Sequence, residues 1–241
     1  MTKYSCCSFL LFFFVFLKSF GQDTSKVNTA SLPGAQYEQQ LLASGQSRLY
    51  NGFEYLDYPY NYFKEGHQFF GNNTWNLGTV TYEGITYNNV NLMYDLIKDE
   101  VVVQHFDKVS KINLIKSKVQ DFSLLGHTFV KLKEEEFRDA YPGFYDLLYN
   151  DKIAVLAKKN KKIAESTSSS GVVRGLYVFN KYYVQKGGQI YSFNSKSSLL
   201  KILKDKNQEI KNYIKNKNLK YKKDPETVMI AIAVYYDEIT K

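Results

Sequence analysis

Cysteine is scarce, and its placement makes the scarcity total in the expected mature chain. The two cysteines are Cys6 and Cys7, and both precede the apolar run Ser8–Leu17 (SFLLFFFVFL). That run has the length of a signal-peptide core and is too short to span a bilayer. Lys3 supplies the positive segment before it, and Ser19-Phe20-Gly21 supplies small residues for cleavage before Gln22. A lipidated cysteine would follow the apolar run rather than precede it. Cleavage leaves no disulfide, no thiol nucleophile and no cysteine metal site. The expected location is the periplasm, or the periplasmic or outer face of the outer membrane. No membrane-spanning segment is expected in the mature chain.

Histidine is also sparse. His67, His105 and His127 are the only three, and none stands at the close spacing of a metalloprotease helix. The sequence carries no Gly-x-Ser-x-Gly elbow, no Gly-x-x-x-x-Gly-Lys phosphate cradle and no dinucleotide fingerprint. No cofactor, metal or catalytic residue is therefore assigned. Paired carboxylates remain the one enzymatic option, with Glu54, Asp57 and Asp95 as acids. A hydrolase would need two of them facing a cleft, roughly 5–10 Å apart. Asp95 falls on the polar side of a strand, where solvent exposure is the expectation.

Aromatic residues are abundant: 21 tyrosines and 17 phenylalanines in 241 residues, enough for a large core with rings left over. Lysine, asparagine and isoleucine are abundant too. An AT-rich genome produces this composition by codon bias alone, so neither the rings nor the net charge of +8 names a ligand. Lysines crowd the stretch from Lys201 to Lys223, against Asp205 and Glu209. Export argues against a nucleic-acid partner for them, and a solvated face is expected.

Residues 22–34 read as a polar leader, and Ala35–Ala43 as a short helix. The rings concentrate between residues 49 and 75, in a segment punctuated by Asn51-Gly52, Pro59, Gly66 and Gly71. Two readings stand for it. The rings cover a sheet edge, or Tyr58, Tyr60, Tyr62 and Trp75 form a platform for sugar or peptide. From Trp75 to Leu132 polar and apolar residues alternate between turn signals, which predicts short antiparallel strands. Glu83-Gly84 suits a two-residue hairpin turn. In Ile85–Leu96, Val90, Leu92, Tyr94 and Leu96 share one face, predicted to be core. Glu134–Tyr141 suggests a helical turn. Lys158–Gly171 reads as a mobile lysine- and serine-rich loop. Further strands are predicted at Val172–Phe179, Tyr182–Gln185 and Gln189–Phe193, with joints at Asn180-Lys181 and Gly187-Gly188.

The pattern changes at Ser195, which can cap a helix over Lys196–Leu203. Lys206–Asn216 has helical spacing, and Asp224-Pro225-Glu226 opens a third helix. The expected fold is α+β: an antiparallel β meander, sandwich or partial barrel over 35–194, with a helical segment over 195–241 packed on it.

The pattern Gly-Thr-Val-x-Tyr-x-Gly-x-x-Tyr-x-Asn-Val-x-Leu-x-Tyr-Asp-Leu runs from Gly78 to Leu96. With the Ser-Phe-Gly-Gln signal end and the lysine-rich helical C-terminus, it resembles a group of exported, signal-peptide-bearing, β-rich proteins common in Bacteroidota. The resemblance implies an envelope location and transfers no catalytic residue. The expected function is a non-catalytic envelope protein that binds another protein or an envelope component. A glycan-binding module using the 50–75 aromatics and a carboxylate-dependent hydrolase are the alternatives.

Overall fold

The computed structural model describes residues 46–132, 142–169 and 171–240. The expected signal peptide, leader and 35–43 helix lie outside the described residues, as does the 134–141 turn.

The described chain forms an antiparallel sheet followed by helices, the α+β architecture. The strands are β1 (Phe53–Glu54), β2 (Asn76–Tyr82), β3 (Ile85–Asp95), β4 (Glu100–Gln104), β5 (Lys111–Asn113), β6 (Val119–Leu124), β7 (His127–Leu132), β8 (Gly143–Asn150), β9 (Ala154–Ser168), β10 (Gly171–Lys186) and β11 (Gln189–Phe193). Their order across the sheet is β1-β5-β4-β3-β2-β6-β7-β8-β9-β10-β11. Two meanders therefore meet at β2, which pairs with β3 on one side and β6 on the other.

Local chemistry accounts for the hairpins. Tight turns that match strand twist need positive φ at both central residues. Glu83-Gly84 (52°, 79°), Leu125-Gly126 (53°, 78°) and Gly187-Gly188 (58°, 75°) all supply it. Within β3 the pairing shifts from Val80↔Tyr87 to Gly78↔Val90, a bulge at which Asn89 takes φ 56°. The extra residue changes the side-chain parity. Tyr87 before it and Val90, Leu92 and Tyr94 after it consequently reach the same core.

The sheet is strongly curled. Tyr94 on β3 lies edge-on to Phe122 of β6, Phe129 of β7 and Phe144 of β8, with centroids 5.1, 5.0 and 6.0 Å away. A flat sheet would separate β3 from β8 by about 19 Å, at one strand spacing per step. Curling brings these rings into one core with Leu92, Leu96, Val101 and Val103. β9 closes the curl: the Lys161 N–H donates to the Leu96 carbonyl at 3.3 Å.

The helices are α1 (Lys196–Ile202), α2 (Asn207–Asn216) and α3 (Pro225–Ile239). Ser195 caps α1 through a reciprocal pair with Ser198, and Asp224 caps α3 by accepting from the Thr227 N–H. Leu199, Leu203, Ile210, Met229 and Ile232 form a second core against Val155 of β9, Val184 of β10 and Phe193 of β11.

Two expectations fail here. Lys158–Gly171 is not a mobile loop: β9 runs on to Ser168 and pairs with β10 in unbroken register from Gln185↔Ala154 to Gly171↔Ser168. Asn180-Lys181 is likewise no joint, since both residues lie inside β10. The reason is long-range pairing of the lysines. Lys158 Nζ donates to Asp99 at 2.7 Å and to the Phe144 carbonyl. Lys159 Nζ donates to both oxygens of Glu226, at 2.6 and 2.7 Å. Lys161 Nζ donates to the carbonyls of His67 and Phe69. Ammonium groups that read as solvated are held by acceptors far away in sequence.

Candidate functional site

The aromatic segment before β2 lies between two supports. On one side it covers the outer face of β3 and β4, where Tyr55, Phe69 and the half-buried Trp75 pack on Met93 and Val102. Backbone bonds fix this seat: Phe70 N–H to Tyr94 O, and Leu96 N–H to Gln68 O. On the other side is the two-stranded ribbon made by the distal parts of β9 and β10. The Lys64 N–H donates to the Arg174 carbonyl at 2.8 Å. The Arg174 guanidinium lies over the Tyr62 ring, 4.6 Å from its centroid. Leu176 approaches Gly66 closely, so a Cβ added there would stand 3.3 Å from it.

Within this segment lies a depression of about 470 Å³, which Lys111 of β5 also lines. Tyr58, Tyr60 and Tyr62 all line it, with Phe63, His67 and Asn73. A tight turn presents them: Tyr62 N–H bonds to Pro59 O, and Asn61 takes φ 58°. Tyr58, Tyr62 and Phe63 pack on one another at 5.0–5.2 Å with tilted or edge-on rings. Tyr60, at the tip, is 94 % exposed. Lys98 stands over the rings of Tyr55 and Tyr58, at 4.4 and 5.1 Å. Three of the four expected ring residues are thus brought together. Trp75 is not among them, because its ring serves the Tyr55–Phe69 cluster.

The carboxylates occupy other roles. Asp95, expected to be exposed, is fully buried. It accepts from the Tyr55 hydroxyl at 2.7 Å and from the N–H groups of Ile97 and Lys98. The aromatic segment covers that side of β3, which a period-two pattern cannot anticipate. Asp57 is held by Lys111 through both oxygens, and Glu54 lies on the short exposed strand β1.

A second buried acidic group lies elsewhere in the sheet. Asp146 accepts from or shares a proton with His127 at 2.8 Å and stands 3.4 Å from Lys159. Burial raises its pKa despite these partners. Glu226 on α3 completes the network by accepting from Lys159 and from Tyr182, whose hydroxyl is pushed up to about 12, chiefly by burial. This network ties β8, β9, β10 and α3 together. Among the described residues no group of three His, Cys, Asp or Glu side chains is placed to hold a metal ion.

Arg174 and Lys98 were not legible as site residues. Each lies distant in sequence from the rings it covers, and nothing in its own local pattern points to them.

Fold and site together define an α+β protein: a curled antiparallel sheet with a C-terminal helical layer and a ring-lined depression in a segment that a long hairpin braces. Compared with known proteins, the chain matches no family model, no curated protein and no solved structure.

Proposed function

We propose that this is a non-catalytic exported protein of the cell envelope that binds another protein or an envelope component at the Tyr58–Tyr60–Tyr62 surface. The observation that carries the reading is Tyr60, a ring 94 % exposed on a turn braced from both sides. Tyrosine and arginine dominate binding hot spots, and a braced turn loses little freedom on binding. Val172 and Val178 are exposed on the same side of β10 as Arg174 and extend the surface along the ribbon. The internal engagement of Asp57 and Asp95 supports a non-catalytic role over the hydrolase.

A glycan is the second reading. The three rings share their depression with Asn61, Asn73 and the Asp57–Lys111 pair, so apolar and hydrogen-bonding groups converge. The absence of Trp75 from that group weakens the platform on which this reading first rested.

Two measurements test the proposal. N-terminal sequencing of the protein from its native envelope should begin at Gln22, and carbonate should release it from the membrane fraction; full retention contradicts the location. Immobilised mature protein should retain a component of detergent-solubilised envelope that Tyr60→Ser protein does not. Equal retention by both contradicts the assigned surface.

A further inference from the structure

The β3 bulge borders a second pocket, of about 400 Å³, that shares no lining residue with the Tyr60 depression. The volume lies within the range of small-ligand pockets. Its chemistry is distinctive. Asn88, Asn89 and Asn91 line it from the bulge, and Gln104 lines it from the end of β4. Asn91 Nδ2 donates to Gln104 Oε1 at 2.7 Å, and Gln104 Nε2 donates to the Lys108 carbonyl at 3.2 Å. These bonds fix the planes of both amides.

Rings supply the other wall. His105 and Phe106 pack with centroids 3.8 Å apart, and Tyr50 stands edge-on to both. Tyr87 also lines the pocket and is only 6 % exposed, its ring belonging to the core beneath.

The lining contains one ammonium, Lys108, and no carboxylate. Asp107, between the lining residues Phe106 and Lys108, is engaged in its own turn, accepting from Val109 and Ser110 N–H groups while pairing with His105 at 3.0 Å. A pocket of amides and rings with little charge suits a neutral ligand. Each amide sets a donor beside an acceptor, which matches a pair of adjacent hydroxyls, each able to give and take a hydrogen bond. Ring faces match the apolar C–H face of a sugar. We propose that this pocket binds a neutral saccharide. The proposal does not rest on the Tyr60 surface and stands or falls separately from it.

The test is titration of the mature protein, followed by saturation-transfer NMR, with glucose, mannose, galactose, N-acetylglucosamine, maltose and cellobiose. Inorganic phosphate and acetate serve as charged controls. At least one neutral sugar should bind with a Kd of about 1 mM or tighter. Asn89→Gly keeps the left-handed backbone that Asn89 adopts while deleting its amide. Asn88→Ala deletes a second lining amide at an exposed position, so its melting temperature should hold. Each should weaken sugar binding about tenfold, the effect of one lost hydrogen bond. Tyr60→Ser should leave it unchanged. The proposal is overturned if no neutral sugar binds, if only phosphate or acetate binds, if both pocket variants bind like wild type, or if Tyr60→Ser abolishes binding.

Discussion

Arg174 holds its guanidinium over the ring of Tyr62, 4.6 Å from the centroid, and thereby joins β10 to a segment more than a hundred residues earlier. The same residue's carbonyl accepts from Lys64, and its Nε donates to Glu165 at 2.7 Å. A cation over a partly exposed ring contributes about 0.5–1 kcal/mol. Arg174→Ala should therefore cost little global stability. It should accelerate amide exchange at Lys64 by several-fold and leave exchange in β2 and β6 unchanged, as read by hydrogen-exchange mass spectrometry. Uniform acceleration across the sheet would show that the contact does not brace the segment locally.

The Lys159–Glu226 pair predicts a larger effect. Lys159 is buried on β9, and Glu226 in the first turn of α3 meets it with both oxygens. Removing one partner of a buried pair costs about 3–5 kcal/mol, because the remaining charge loses its compensation. Asp146, 3.4 Å away, keeps part of that compensation, so Glu226→Ala should fall near the low end. Lys222→Ala, at an exposed position, should change stability by less than about 0.5 kcal/mol. Urea denaturation of the two variants checks the contrast.

Gly78 has no room for a side chain. A Cβ there would stand 2.2 Å from the Ser123 carbonyl oxygen and 2.8 Å from a Leu92 methyl. Because the first obstacle is backbone of the neighbouring strand, β2 and β6 would have to part. Overpacking of this kind costs about 1–3 kcal/mol, so Gly78→Ala should lower the urea midpoint. Gly84→Asn, in an open turn that asparagine tolerates, should lower it far less.

The tyrosines set the alkaline limit. Burial raises the pKa values of Tyr55, Tyr94 and Tyr145, with Asp95 or Asp99 adding to the effect at the first two, and Tyr149 and Tyr182 reach about 12. A group whose folded pKa is raised binds its proton more tightly in the native state. The stability it contributes is intact below the unfolded value of 10.0 and is lost as pH rises through the folded value. Stability should fall steeply above pH 10. Ultraviolet titration should show a set of phenols that ionise only as the protein unfolds. Ionisation of every tyrosine near pH 10 in the folded state would contradict these burials.

The hairpin meander was legible because its signals are local. Glu83-Gly84 and Gly187-Gly188 mark their turns, and Val90, Leu92, Tyr94 and Leu96 reach the core as alternation predicts. Asp95 was misread because a segment some 30 residues earlier covers its face of β3, and no period within the strand reports such a cover. The long β9–β10 hairpin was misread because Lys158, Lys159 and Lys161 look solvated until Asp99, Glu226 and the carbonyls near residue 68 are brought to them. The bulge pocket did leave a trace: the inward face passes from the odd position of Tyr87 to the even position of Val90, across Asn88-Asn89.

Site-resolved photo-crosslinking in the native envelope tests the central claim, that the braced Tyr60 surface is where this protein meets its partner. A photoreactive phenylalanine analogue at position 60 should give a discrete adduct, and Arg174→Ala should reduce it. The same analogue at Val234, an exposed position on α3 that lines neither the depression nor the bulge pocket, should give none. The same adducts from both positions, or an adduct from position 234 alone, would contradict the account.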